Sequence, residues 1–302
     1  MTVKEIQLPF EKINNIVHIA DVHIRNYKRH REYRQVFRKL YKKLRSTPKD
    51  TLIYVGGDIV HTKTDISPEL VQMVSDFFNT LANIRPTIVI TGNHDANLNN
   101  KSRMDSLTPI VKNLDNPNLH YLKDSGVYVL GDCAFTVMSV FDDPSDYLKS
   151  SASPKGKTKI ALYHGTVHNS ETDIGYVVDN LDVELKKFTG YDYVMLGDIH
   201  KQQYLNKSKT VAYSGSLIQQ NFGESFKRHG IIIWNLLEKT SEFIEVENDY
   251  GYYTVEVKDG KPLNLSDIPP KPRLRVRTEN TTVADVKKIV IDLKKKYKVQ
   301  DV

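Results

Sequence analysis

The chain is poor in cysteine and has no long apolar run. Its 302 residues include one cysteine, Cys133, so an internal disulfide is impossible and we expect a reducing, intracellular location. No apolar run approaches the roughly 18 residues that a membrane-spanning helix needs. The opening stretch, MTVKEIQLPFEKINN, lacks the apolar core of a secretory signal. We therefore expect a soluble protein of one large or two smaller domains.

The charge balance is basic. The chain carries 43 lysine and arginine residues against 37 aspartate and glutamate residues, a formal net charge of +6. This favours an acidic partner such as nucleic acid, although many basic proteins bind none. The distribution of charge says more, because ten lysine or arginine residues between Arg25 and Arg45 accompany the single acid Glu32.

Short β-rich runs alternate with helical patterns in the first hundred residues. The runs IVHIA (16–20), TLIYV (51–55) and TIVIT (87–91) predict buried strands. Between them, HREYRQVFRKLYKKLR and PELVQMVSDFFNTLANI each place apolar residues on one helical face, and Ser67 suits the N-cap of the second. This order predicts a sheet with helical crossovers.

The second half is richer in strand patterns. YVMLG (193–197), TVAYSG (210–215) and GIIIWNL (230–236) predict further strands. Composition shifts near Asp249, where an alternating strand, a proline-rich link, a second alternating strand and a helical pattern follow in turn. We therefore predict one domain over residues 1–249 and a small α/β domain over residues 250–302.

Polar residues follow five of the predicted strands. They are Asp21 and His23, Asp58 and His61, Asn93 with His94 and Asp95, His164, and Asp198 with His200. Any one of these motifs alone is more often a turn. Five of them in chain order, each after an apolar strand, indicate a single site, because ligands of open α/β sheets bind at the carboxyl ends of the strands.

The donor types indicate a metal site with phosphoester chemistry. Carboxylate, imidazole and amide oxygen suit Mn²⁺, Fe²⁺ or Zn²⁺, and no thiolate takes part. One carboxylate can bridge two metals about 3.5–4 Å apart, and such a pair binds a phosphate and generates hydroxide. A nearby histidine can protonate the leaving oxygen.

The order DVH, GDIVH, GNHD, H, GDIH resembles that of the calcineurin-like binuclear metallophosphoesterases. More narrowly, SGSLIQQNFGES, HGIIIWNL and PKPRLRVRTENTTVADVKKIV resemble the SbcD-type nuclease subunits of the meiotic-recombination-eleven family. The resemblance covers nearly the whole chain. It implies an α/β fold, a calcineurin-like β-sandwich flanked by helices, with a small C-terminal capping domain that binds DNA. It also implies metal-dependent exonuclease and endonuclease activity in DNA end processing, repair or recombination.

The resemblance further implies a role for each motif residue. The first metal would be held by Asp21, His23, Asp58 and His200, and the second by Asp58 as the bridge with Asn93, His164 and Asp198. His94 would protonate or stabilise the leaving group, Asp95 would orient His94, and His61 would assist the substrate or support the residues around the metal ligands. Two Mn²⁺ ions are expected, with Mg²⁺ as the alternative.

One motif departs from the family pattern. The family usually ends with Gly-His-x-His, whereas this chain has Gly-Asp-Ile-His at residues 197–200. Asp198 either ligates a metal through oxygen, which favours Mn²⁺ or Mg²⁺, or only turns the chain, with His168 as a spare ligand.

The basic run begins directly after the first metal motif, so we expect it to contact the phosphate backbone of DNA. The predicted contact residues are Arg25, Tyr27, Lys28, Arg29, Arg31 and Arg34, with Tyr27 as a stacking partner. The resemblance also implies an SbcC-type ABC ATPase partner and a homodimer. The helix over 68–83 and the loop around 101–107 are the candidate dimer face.

Two other functions remain open from the sequence. One is a calcineurin-like phosphatase or phosphodiesterase acting on small phosphoesters, against which the basic helix and the cap-like tail argue. The other is a non-catalytic DNA-binding subunit, against which His94 and the nearly full ligand set argue.

Overall fold

A computed structural model describes residues 3–179 and 181–302, and its elements alternate between strands and helices. The helices are α1 (His30–Arg45), α2 (Pro68–Ile84), α3 (Leu107–Leu114) and α4 (Val283–Lys296). The strands are β1 (Val3–Ile6), β2 (Asn15–Ile19), β3 (Thr51–Val55), β4 (Thr87–Val89), β5 (Leu119–Tyr121), β6 (Gly126–Leu130), β7 (Cys133–Met138), β8 (Thr158–His164), β9 (Tyr193–Gly197), β10 (Gln203–Tyr204), β11 (Val211–Tyr213), β12 (Gly230–Asn235), β13 (Thr240–Glu245), β14 (Tyr250–Lys258), β15 (Lys261–Pro262) and β16 (Lys271–Glu279).

Two large sheets form the centre of the molecule. One has six strands in the order β13-β12-β2-β3-β4-β5, with β2 to β5 parallel to one another. The other has seven strands in the order β1-β6-β7-β8-β9-β11-β10. Buried side chains from both sheets, among them Tyr54, Phe135, Leu162 and Met195, form one apolar cluster. The fold is therefore a β-sandwich, as predicted.

Helices cover the outer face of the six-stranded sheet. Phe37 and Leu40 of α1 and Phe77 and Phe78 of α2 are buried in a cluster with apolar residues of β2 and β3. The predicted helix over residues 30–45 is confirmed at both ends. Helix α2 begins after Ser67, whose side chain accepts a hydrogen bond from the Leu70 amide, so the predicted N-cap is confirmed as well.

Strand β4 is shorter than the sequence predicted. The run TIVIT continues to residue 91, but the strand ends at Val89. The amide of Ile90 still donates to the carbonyl of Val55 at 3.1 Å. The backbone then leaves the sheet for the Gly-Asn-His-Asp loop, which explains why the last two residues of the run are not paired as a strand.

Residues 250–302, called here the C-terminal segment, form a separate small sheet in the order β15-β14-β16 with α4 against it. Val255, Val257, Leu274 and Leu293 are buried in a cluster of their own. Among the described residues, no helix is long and apolar enough to cross a membrane.

Cys133 lies at the start of β7 and packs into the core between the two large sheets, where it is fully buried. Burial raises the pKa of its thiol well above the ordinary value.

Candidate metal centre

The carboxyl ends of five strands from the two sheets meet at one edge of the sandwich. Strands β2, β3 and β4 come from one sheet and β8 and β9 from the other. The seven residues expected to bind metal follow or end these strands: Asp21, His23, Asp58, Asn93, His164, Asp198 and His200. The structure brings their side chains into one cluster, in which all but Asn93 and Asp198 belong to groups whose donor atoms lie within 4.8 Å of one another.

Four of these residues hold the backbone in the left-handed region. The φ angles are 52° at Asp21, 49° at His23, 54° at Asp58 and 101° at Asp198. Residues other than glycine adopt this conformation at a cost, and such positions concentrate at functional sites. The local backbone is therefore consistent with a binding role for these side chains.

Asp58 lies between two groups of donors. Its Oδ2 atom is 3.4 Å from Nε2 of His23, and its Oδ1 atom is 3.3 Å from Nε2 of His164. His23 Nε2 is also 3.0 Å from Nε2 of His200. A carboxylate with one oxygen toward each group has the geometry that a bridging ligand requires.

His164 organises the second group. Its Nδ1 atom donates to the Gly56 carbonyl at 2.7 Å, since a carbonyl oxygen only accepts, and its Nε2 atom therefore faces the site. That Nε2 atom is 3.2 Å from Oδ1 of Asn93 and 3.9 Å from Oδ1 of Asp198. The amide of Asp198 donates to Oδ1 of Asp21 at 3.0 Å. Asp198 thus faces the cluster with its side chain while its backbone turns the chain.

The buried carboxylates of the cluster favour the binding of a cation. Burial raises the pKa of Asp21 to about 7. Burial acts to lower the pKa of His164, but the charge and hydrogen bond of Asp58, together with the charges of Asp21 and Asp198, outweigh burial and hold that pKa well above its ordinary value. In the described parts of the chain, no lysine or arginine forms an ion pair with Asp21, Asp58 or Asp198. Divalent cations would supply the positive charge that these buried carboxylates need, so the donor set fits the expected metals.

Two glycines permit the close approach of the motif loops. A Cβ atom on Gly57, where φ is 87°, would lie 2.6 Å from Nδ1 of His164. A Cβ atom on Gly92 would lie 2.1 Å from Oδ1 of Asp58. The glycines of GGDIVH and GNHD are therefore required by packing around the cluster.

His94 and His61 lie beside His23. The His94 ring centroid is 4.9 Å from that of His23, and these three histidines could also hold a metal together. His94 Nδ1 donates to the backbone carbonyl of His61 at 2.7 Å, which leaves Nε2 of His94 to face a substrate. Burial and the neighbouring Arg25 lower the pKa of His61 to about 4, so its ring is neutral at pH 7.

Asp95 does not orient His94 as predicted. Its Oδ1 atom accepts from the amides of Ile59 and Val60 at 2.9 and 3.0 Å, and its Oδ2 atom accepts from the amide of Gly92 at 2.9 Å. The His61 carbonyl holds the His94 ring instead. Asp95 thus ties the GGDIVH loop to the GNHD loop, and these three hydrogen bonds come from backbone amides and not from the His94 ring.

The predicted DNA-contact residues divide into exposed and buried side chains. Tyr27 is 70% exposed, and Lys28, Arg31 and Arg34 are exposed as well. Arg25 is half-buried and donates to the carbonyl of Gln220 at 3.1 Å.

Arg29 is unsuited to the predicted contact with DNA. Its side chain is only 3% exposed and pairs with Glu32 at 2.9 Å. Its guanidinium also donates to the carbonyl of Gln219 at 2.6 Å. Arg29 therefore does not belong to the exposed basic surface, because its donors face the interior.

Glu224 is a site residue that the motif reading missed. Its Oε1 atom is 2.8 Å from Nδ1 of His200. Burial acts to lower the pKa of His200, but the hydrogen bond and charge of Glu224, together with the charges of Asp21 and Asp58, outweigh burial and raise the pKa to about 9. In the sequence, the stretch NFGE indicated only a family resemblance, and no spacing rule links residues 200 and 224.

His168, the spare ligand, pairs with Asp179 at 3.5 Å and belongs to none of the possible metal groups of the described residues.

Comparisons with known proteins indicate the family of the chain. A family model described as calcineurin-like phosphoesterase matches residues 15–202. The uncharacterized protein R555 of Acanthamoeba polyphaga mimivirus is 48% identical over 302 residues, which cover 96% of this chain and 22% of that protein. The SbcD subunit of the SbcCD nuclease of Staphylococcus epidermidis is 27% identical over 291 residues, which cover 85% of this chain and 70% of that protein. The chain thus spans about a fifth of the length of the mimivirus relative.

Proposed function

We propose, because the chain belongs to the calcineurin-like phosphoesterase family, that it is a metal-dependent phosphoesterase and that it hydrolyses phosphodiester bonds in DNA. In this proposal it acts as an exonuclease and endonuclease in DNA end processing, repair or recombination. The similarity to a nuclease subunit of Staphylococcus epidermidis supports the choice of substrate.

The observation that carries the proposal is the position of the exposed basic residues. Helix α1 begins seven residues after His23, and the hydroxyl of Tyr33 donates to the His23 carbonyl. The exposed side chains of Arg31 and Arg34 therefore lie on a helix that is bonded to the backbone of the first metal motif, and exposed Lys28 lies in the loop between that motif and the helix. A duplex or single strand with a phosphate at the cluster would present its neighbouring phosphates to this surface.

The proposed ligands divide into two groups around Asp58. Asp21, His23 and His200 would hold one metal, while Asn93, His164 and Asp198 would hold the other. When bound, such a metal pair neutralises the phosphate and makes a water molecule nucleophilic near neutral pH. We propose Mn²⁺ as the physiological ion, with Mg²⁺ as the alternative, because most of the donor atoms are oxygens.

His94 is proposed to act on the leaving group. Its Nδ1 atom is held by the His61 carbonyl, so Nε2 is the nitrogen that exchanges a proton with the substrate. Protonated there, His94 would donate to the oxygen that leaves phosphorus. His61, neutral at pH 7, lies with its ring centroid 5.7 Å from that of His94 and is proposed to contact the substrate.

A cavity beside the cluster offers room for a nucleotide. It has a volume of about 290 Å³ and is lined by Asp198 and His200 of the cluster and by Ile174 and Tyr176. The Tyr176 ring is 60% exposed, which makes it available to stack on a base.

The partners follow from resemblance alone and remain proposals. We propose an SbcC-type ABC ATPase subunit and a homodimer whose interface uses α2 and the loop around residues 101–107. Val71 and Met104, which lie in these regions, are exposed apolar residues.

The test compares two substrate classes under one condition. With Mn²⁺ present, linear and hairpin DNA and para-nitrophenyl phosphate esters are incubated with wild-type protein and with His94→Ala. We expect DNA hydrolysis that falls by about 10²–10⁴-fold in His94→Ala, which is the usual contribution of a general acid. His168→Ala, a histidine outside the cluster, should hydrolyse DNA at the wild-type rate.

Each other outcome has a distinct meaning. Hydrolysis of the esters without hydrolysis of DNA would make the protein a small-molecule phosphoesterase. DNA binding without hydrolysis of either substrate would indicate a non-catalytic DNA-binding subunit. DNA hydrolysis that His94→Ala leaves intact would remove His94 from the mechanism.

A further inference from the structure

We propose that Glu224 is the positioning residue for His200: it fixes the tautomer and orientation in which the His200 ring binds metal. This inference rests on the proposed function, since it takes His200 as a metal ligand. It assigns a role to the NFGE stretch, which the five metal motifs leave unexplained.

The Glu224 carboxylate is held from several directions. Its Oε2 atom accepts from the amide of Gln220 at 2.6 Å, and its Oε1 atom accepts from the side-chain amide of Asn221 at 2.7 Å. The side chain is only 7% exposed. These contacts hold the Glu224 carboxylate in one position, in which its Oε1 atom is 2.8 Å from Nδ1 of His200.

The chemistry of this pair decides which nitrogen of His200 can bind a metal. An ionised carboxylate accepts hydrogen bonds and donates none, so Nδ1 of His200 must carry the proton between them. The Nε2 atom, 3.0 Å from Nε2 of His23, is left to face the cluster. Hydrogen bonds of this kind fix ring orientation and raise the basicity of a ligating histidine.

The segment that carries Glu224 is itself anchored outside the site. Gln219 donates through Nε2 to the Glu224 carbonyl at 2.8 Å and to the Tyr252 carbonyl at 3.1 Å. Its Oε1 atom accepts from the Tyr252 amide at 2.7 Å. Gln219 thus joins the backbone around Glu224 to strand β14, which limits how far the carboxylate can move away from His200.

The test is a metal titration of Glu224→Gln, with Mn²⁺ and Co²⁺ followed by calorimetry and Co²⁺ also by visible absorption. Glutamine keeps the shape but removes the charge and offers an NH₂ group, which can reverse the tautomer. We expect the affinity of one of the two metals to fall by about 10–100-fold, with a changed Co²⁺ spectrum, while the other metal binds as in wild type. Raising the Mn²⁺ concentration should then restore DNA hydrolysis, because the variant loses activity through incomplete occupancy of the weakened metal site.

Glu171→Gln is the matched control. Glu171 pairs with Lys201 at 2.7 Å, next to His200 in the chain, and is not one of the proposed ligands. The same change of charge at Glu171 should change neither metal affinity by more than about twofold from wild type. That is much smaller than the loss of about 10–100-fold expected for Glu224→Gln. Equal losses in the two variants would mean that net charge, and not positioning, controls affinity, which would overturn the proposal.

Glu224→Asp provides a second test in case Glu224→Gln does not fold. Glu224→Asp keeps the charge but withdraws the carboxylate from His200, so it too should weaken one metal. Wild-type affinity for both metals in whichever variant folds would overturn the proposal. A metal-binding defect in a protein that never cleaves DNA would leave the proposal standing and refute the proposed substrate.

Discussion

At the scale of single residues, the backbone of the motif loops sets the positions of the clustered side chains. The left-handed backbone at Asp21, His23 and Asp58 costs about 1–3 kcal/mol at each position. Backbone bonds between the two loops stabilise it, including those from the His23 amide to the Asp58 carbonyl at 2.9 Å and from the Asp21 amide to the Gly57 carbonyl at 3.2 Å. The donors are therefore held in place by the loops themselves, which reduces the reorganisation that metal binding requires.

Gly92→Ala should damage this arrangement. The added Cβ would lie 2.1 Å from Oδ1 and 2.3 Å from the amide nitrogen of Asp58, neither of which can move without displacing the proposed bridging ligand. We expect affinity for at least one metal to fall more than about tenfold, since overpacking of a filled site costs about 1–3 kcal/mol. Calorimetric titration with Mn²⁺ measures it.

Gly126→Ala is the control for that substitution. The nearest atom to its added Cβ is Cε2 of Tyr128 at 3.6 Å, an ordinary contact. Its metal affinities should match those of wild type. If Gly92→Ala also bound two metals with wild-type affinity, Asp58 would not need its present position to bind them.

The seven clustered donors could be predicted because each follows an apolar strand, and strand ends meet at a sheet edge whatever the loop details. The roles of Asp95, Arg29 and Glu224 could not. The partners of Asp95 and Arg29 include residues 35 and 190 positions away, and no local pattern indicates which long-range partner a charged side chain will meet.

At the scale of elements, α1 has two faces of different character. Its apolar face, which includes Phe37 and Leu40, packs on the six-stranded sheet, and its outer face presents Arg31 and Arg34. Helical periodicity was enough to predict the buried face and both ends of the helix. Periodicity does not predict that the side chain of Arg29, one residue before the helix, points into the protein.

The double variant Arg31→Glu with Arg34→Glu tests the outer face. We expect weaker DNA binding and a reduced salt dependence, with the slope of log K against log salt shrinking by about two, because each lost phosphate contact contributes about one. Fluorescence anisotropy with labelled DNA over a series of salt concentrations measures both quantities.

The control is Lys12→Glu with Lys239→Glu, which makes the same change in net charge. Both lysines are exposed. They lie at the opposite end of the six-stranded sheet, where Asn235 of β12 pairs with Asn15 of β2. An equal loss of affinity and slope in both double variants would mean that DNA responds only to total charge and that α1 is not a specific contact.

At the scale of the whole molecule, one buried acid joins the C-terminal segment to the sandwich. Glu32 of α1 accepts from Arg29 at 2.9 Å, pairs with Arg273 of β16 at 2.8 Å, and accepts from Asn248 at 2.8 Å. The Glu32 side chain is fully buried. The domain boundary predicted near Asp249 therefore lies beside the ion pair between Glu32 and Arg273. Hydropathy and composition do not predict this contact.

Glu32→Gln should destabilise the protein in a pH-dependent way. Burial acts to raise the pKa of Glu32, but Arg29 and Arg273 outweigh it and hold that pKa below its ordinary value of about 4.3. A depressed pKa gives stability that is present above that ordinary value and is lost as the pH falls through the lower folded value. Urea unfolding should show a deficit of about 3–5 kcal/mol at pH 7, which shrinks below about pH 4.

Glu279→Gln serves as the comparison, since Glu279 pairs with Lys258 at 2.7 Å but both side chains are more than half exposed. Its loss should stay below about 1 kcal/mol. A deficit for Glu32→Gln that stayed constant from neutral to acid pH would show that lost packing, and not the ion pairs, causes the destabilisation.

The single cysteine has a practical consequence. Because the Cys133 thiol is buried and its pKa is raised, it will react slowly with thiol reagents in the folded protein. A cysteine introduced at exposed Tyr27 would then be the one accessible attachment point for a fluorophore or spin label. The proposed contact between DNA and the edge of the candidate metal centre can be tested directly from that position, without first engineering a cysteine-free background.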